Sequence, residues 1–126
     1  MRLRRLLAVA TAAFSLACAS GGGGSRSAGD EVREGVRVAQ LGYWQEAEFR
    51  FGRALQLTPD DVVVLNNLAV AQEALGRYDD ALATYKLALQ KQPKNTVIRK
   101  NYARFAEFFT SYARGAKPKG DSGATR

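Results

Sequence analysis

The chain has 126 residues, 46% of them apolar and 25% charged, with a net charge of +7, a single Cys and no His. That length accommodates one small domain once any processed ends are removed. Without His there is no imidazole base for a catalytic triad and no His-ligated metal, and one Cys cannot form an internal disulfide or a CxxC site. Composition therefore argues against most enzyme chemistry, with no catalytic residue, cofactor or metal site expected, and for a binding module.

The positive charge is not spread evenly. Arg2, Arg4 and Arg5 carry three charges in the first five residues, and Arg26 is the only charged residue in 18–29. Residues 30–112 hold eleven basic and eleven acidic side chains and sum to zero, whereas the last 14 residues return a net +3. A neutral body is a poor surface for tracking phosphates, so nucleic acid is not an expected partner.

The first 17 residues form a signal-like segment. The basic stretch Met1 to Arg5 precedes a 12-residue apolar run from Leu6 to Ala17, interrupted only by Thr11 and Ser15. A spanning helix needs about 20 apolar residues, so this run fits the apolar region of a signal peptide. Ser15, Leu16, Ala17 and Cys18 resemble a bacterial lipoprotein lipobox, although Ser15 stands where that pattern has Leu and Leu16 falls one step late. The resemblance implies lipid attachment at Cys18 and, because Ala19 rather than Asp follows, anchoring on the periplasmic side of the outer membrane. The alternative is cleavage at the A-x-A sequence Ala17 to Ala19, which releases a soluble periplasmic protein from Ser20. Residues 18–29 hold the Cys and a Gly/Ser-rich linker without the GK[ST] of a phosphate-binding loop.

Residues 30–112 are expected to form an all-α domain. Shifting this region by 34 residues aligns Gly42 with Gly76, Trp44 with Tyr78, Ala47 with Ala81, Phe51 with Tyr85, Ala54 with Ala88 and Pro59 with Pro93. The period and its small–aromatic–small pattern resemble the tetratricopeptide (TPR) repeat. Residues 28–61 and 62–95 read as two repeats of paired helices, and 96–112 as a C-terminal capping helix, giving about five helices in a hairpin solenoid. Gly35 and Ala69 are small enough for the second helix of each repeat to approach, and Gly42 and Gly76 fit helix-terminating turns.

The face expected to meet the preceding repeat is apolar in repeat two (Val64, Leu68, Ala71, Leu75, Tyr78) and in the third helix (Ile98, Tyr102, Phe105, Phe109, Tyr112). In repeat one the same places hold Asp30, Glu34, Arg37, Leu41 and Trp44, as an outer face requires. Arg99, Ala103 and Ala106 stand on the side of the third helix that no further repeat covers. Two acidic pairs, Asp60–Asp61 and Asp79–Asp80, read as helix-start residues, because neighbours on a helix diverge and do not converge on a substrate.

The TPR resemblance implies a partner-binding groove lined by the first helix of each repeat. By position it contains Val32, Arg33 and Val36; Val63, Asn66, Asn67 and Val70; and Val97, Lys100, Asn101, Arg104 and Phe108. Asn67 and Asn101 are candidates to hold a peptide backbone, and Lys100 and Arg104 to meet an acidic group. The family's clamp for a free C-terminus is not reproduced, since Val32 and Val36 occupy two of its places. The tail 113–126 is basic, lacks apolar periodicity and is expected to be disordered. The expected function is an envelope adaptor that binds a protein or peptide, or alternatively a structural subunit that oligomerises through the aromatic third helix.

Overall fold

The computed structural model describes residues 25–116, which form five α-helices in antiparallel succession: α1 (Ala28–Gln40), α2 (Trp44–Leu57), α3 (Val62–Ala74), α4 (Tyr78–Lys91) and α5 (Thr96–Ala116). The segments expected to be a signal peptide, the Cys18 anchor and most of the Gly/Ser linker lie outside the described residues. No helix among the described residues is long and apolar enough to cross a membrane. The fold is the all-α helical-hairpin solenoid expected, with α1–α2 and α3–α4 as the two pairs.

Both intra-pair turns are closed by the same device. Gly42 (φ 82°) and Gly76 (φ 75°) take the left-handed conformation after α1 and α3. The Tyr43 and Arg77 amides then donate to the Val38 and Gln72 carbonyls, and the Gly42 and Gly76 amides to Ala39 and Glu73. These paired bonds satisfy carbonyls that the helix end would otherwise orphan. The helix starts also follow their chemistry. Ser27 and Asp30 form a reciprocal capping box on α1. Asp61 caps α3 by accepting from the Val63 and Val64 amides, which accounts for one of the acidic pairs; Asp79 and Asp80 sit in the first turn of α4.

Two buried clusters result, one per pair. Val38, Ala47, Phe51 and Ala54 join Val64 and Ala71 of α3 in the first. The second gathers Val62, Leu65, Ala69, Ala81, Tyr85 and Ala88 with Ile98 and Phe105 of α5. The third-helix aromatics are thus mainly core: Phe105 is fully buried, and Tyr102 and Phe109 pack beside it. Phe108 and Tyr112 remain exposed and pack edge-on against Tyr78, with centroids 5.0 and 4.9 Å from its ring. The aromatic side of α5 is therefore largely committed to the chain's own core. α5 also runs four residues past the expected boundary at 112, so Ala113 to Ala116 are helical rather than tail.

The close approach expected at Gly35 is severe. A Cβ placed there would lie 2.6 Å from the Cε1 of Phe51. Phe51 is itself buried and cannot swing away. Gly35→Ala is accordingly expected to destabilise the protein by about 1–3 kcal/mol through overpacking, outweighing the ~1 kcal/mol that Ala gains in helix propensity. Urea unfolding followed by circular dichroism measures the difference, and an unchanged midpoint would contradict it.

One buried group was not expected. Glu31, fully covered between α1 and α2, is held by Arg50 (3.2 Å) and Arg53 (3.3 Å). In the 34-residue register it occupies the place of Leu65, a core residue of the second pair.

Candidate functional site

The expected groove residues separate into distinct groups. Two adjoining crevices lie where the first helices meet. The first, of about 200 Å³, is lined by Val36, Ala39, Gln40, Trp44, Phe51, Asn67 and Val70. The second, of about 290 Å³, is lined by Trp44, Val70, Glu73, Ala74, Tyr78, Arg104 and Phe108. Trp44 and Val70 form their shared wall. Val36, Asn67, Val70, Arg104 and Phe108 are therefore brought together, spanning α1, α3 and α5.

The remaining candidates are elsewhere or engaged. Val32 is half-buried against the first core cluster, and Arg33 is paired along its own helix with Asp30. Val63 and Val97 are exposed in the first turns of α3 and α5, away from both crevices. Asn66 is buried and accepts a hydrogen bond from the Asn101 amide (3.0 Å), so this pair ties α3 to α5. Lys100 is exposed and has no ion-pair partner among the described residues.

Arg104 is engaged as well. Its guanidinium donates to the Glu73 carboxylate at 3.1 Å, and the Tyr85 hydroxyl donates to the same oxygen at 3.2 Å. Burial, with the Glu73 carboxylate beside it, pushes the Tyr85 phenol well above its ordinary range, so it remains a donor. This three-helix knot leaves Arg104 substantially exposed at its outer edge, with its charge already balanced. The floor of the second crevice is thus a neutralised ion pair flanked by aromatic rings.

Ala39, Gln40, Phe51, Glu73 and Ala74 line the crevices without being among the expected groove residues, and so do the large aromatics Trp44 and Tyr78. Both were assigned to repeat-stacking faces, and Trp44 to a face meeting water. Trp44 instead packs half-buried against the first core cluster and lines both crevices. Its alignment with Tyr78 in the 34-residue register was the signal available.

Five helices arranged as hairpins with glycine-closed turns, presenting a crevice along the first helices, define a helical-repeat binding domain. A tetratricopeptide repeat family model matches residues 39–104, and the chain belongs to that family. The solved structure of the Arabidopsis OM64 TPR domain is similar to it, with a TM-score of 0.60 and 23% identity, covering 65% of this chain and 68% of that one. At that identity the likeness concerns the fold. No curated protein matches the chain. A TPR domain of this kind is a protein-interaction scaffold.

Proposed function

We propose that this protein is an exported TPR adaptor, tethered to the periplasmic side of the outer membrane by an acylated Cys18, which captures a protein segment in the paired crevices. The observation that carries the capture is the shared Trp44–Val70 wall with Asn67 beside it. Asn67 makes no side-chain hydrogen bond among the described residues, so its donor and acceptor are available to a peptide backbone. An apolar wall with a few convergent polar groups is the usual make-up of such sites. Support for the tether comes from the basic and apolar run before Cys18 and the Gly/Ser linker after it, which would give the domain reach from the membrane. Catalysis has no role in this reading.

Two measurements test it. A photo-crosslinker at Val36 in the membrane-bound protein should yield one dominant protein adduct. Asn67→Ala should weaken capture about fivefold to tenfold, from the loss of one neutral hydrogen-bonding side chain, without loss of helicity. Unchanged adduct yield would rule out the groove. Intact mass of the membrane-extracted protein tests the tether: residues 18–126 plus a lipid modification supports it, and a mass matching 20–126 replaces it with a soluble periplasmic form.

A further inference from the structure

We infer that α5 is a self-association surface, on which a second copy of this chain packs its own α5 antiparallel, with Lys100 of each copy opposite Glu107 of the other. The argument begins with the side of α5 turned away from the core. Thr96, Arg99, Ala103, Ala106, Thr110 and Ala113 recur at alternating spacings of three and four, the pattern of a helix–helix seam. Ala103 holds the place that Gly35 and Ala69 hold in the two full repeats. Those two are buried under the following helix, whereas Ala103 is exposed. Beside it lies a largely apolar hollow of about 640 Å³, with Leu89, Pro93, Tyr102 and Ala103 among its walls.

Length and charge select the occupant. α5 has 21 residues against 13 or 14 in each other helix, so the seam extends about 10 Å beyond the body that it caps. Lys100 and Glu107 are two helical turns apart on one flank of the seam, and neither has an ion-pair partner among the described residues. A parallel two-fold copy would carry the Lys100–Glu107 flank of the two helices to opposite sides of the seam, leaving these charges unmatched. An antiparallel copy, with Ala103 crossing Ala106, sets each lysine against a glutamate and does so twice. That direction is also the one in which α2 and α4 cover α1 and α3. The second copy's α5 would thus lie beside Ala103 as α2 and α4 lie beside Gly35 and Ala69, and its Ala106, Thr110 and Ala113 would roof the hollow.

The test is sedimentation equilibrium of the full-length chain in density-matched detergent, carrying Cys18→Ser to prevent thiol-linked dimers. The expected result is a mass that rises with concentration from 13.7 kDa to twice that value. Glu107→Lys and Lys100→Glu should each weaken association at least about tenfold, because like charges would then face each other. The double variant should restore it. A single monomeric species up to about 200 μM, where even a small specific interface should be populated, would overturn the inference, as would charge reversals without effect or a double variant that fails to recover. The groove variant Asn67→Ala should weaken capture and keep the dimer, whereas Glu107→Lys should lose the dimer and keep capture, so the two readings fail separately.

Discussion

Replacing Arg50 with Ala is expected to destabilise the protein by about 3–5 kcal/mol, whereas replacing Glu31 with Leu is expected to be neutral or to stabilise it by up to ~4 kcal/mol. The asymmetry follows from burial. Glu31 is 0% exposed, and Arg50, 20% exposed, is its better-placed partner. Truncating Arg50 leaves a carboxylate out of water with only the half-exposed Arg53 nearby at 3.3 Å. Among the described residues Glu31 Oε1 has no hydrogen-bond partner, so this arrangement does not fully repay its desolvation. Leu at position 31 reproduces what Leu65 does in the second pair, and Arg50 keeps its 2.7 Å bond to Glu46 on the outer side of α2. The double variant Glu31→Leu with Arg50→Ala should lie near wild type, since neither charge is then stranded. Urea midpoints of the four proteins close this cycle; equal losses from both single variants would show that the pair is worth its full Coulomb attraction.

Much of the fold was legible because small residues and glycines leave unambiguous marks at a fixed period. Gly42 and Gly76 were expected at helix ends and take positive φ there, and the approach expected at Gly35 is realised against Phe51. Polar residues were harder to place. Glu31 stands between Asp30 and Glu34 on a helix whose outer face is polar, so its burial shows only when the register sets it on Leu65. Asn66 and Asn67 are adjacent and equally polar, yet the 100° turn between them sends one into the α3–α5 contact and leaves the other in a crevice. Arg104 was legible as a groove cation, but its neutralisation by Glu73 depends on a residue 31 positions away. The end of α5 was misplaced because Ala113 to Ala116 carry no large apolar side chain to extend the periodicity.

Phe105→Ala should have the largest effect of any truncation in α5, about 3–5 kcal/mol for a fully buried aromatic. Phe105 is the hub of the C-terminal core, with ring centroids 6.5 Å from Tyr78, 5.5 Å from Tyr85 and 5.7 Å from Phe109. α5 is otherwise held by the buried Ile98, by the half-buried Tyr102 and Phe109, by Phe108 and Tyr112 against Tyr78, and by the two polar ties to Asn66 and Glu73. In a helical-repeat array stability is the sum of each unit and its nearest-neighbour contacts, and a terminal element has neighbours on one side only. The loss should therefore fall first on α5. Hydrogen exchange should show α5 amides losing nearly all protection, while amides of α1 and α2 around Phe51 retain most of theirs. Undocking would remove Arg104 and Phe108 from the second crevice and leave Val36, Asn67 and Val70 in the first, so ligand capture should weaken without vanishing. Equal loss of protection in all five helices would show instead that a domain this small unfolds as one cooperative unit, with the capping helix as integral to it as either repeat.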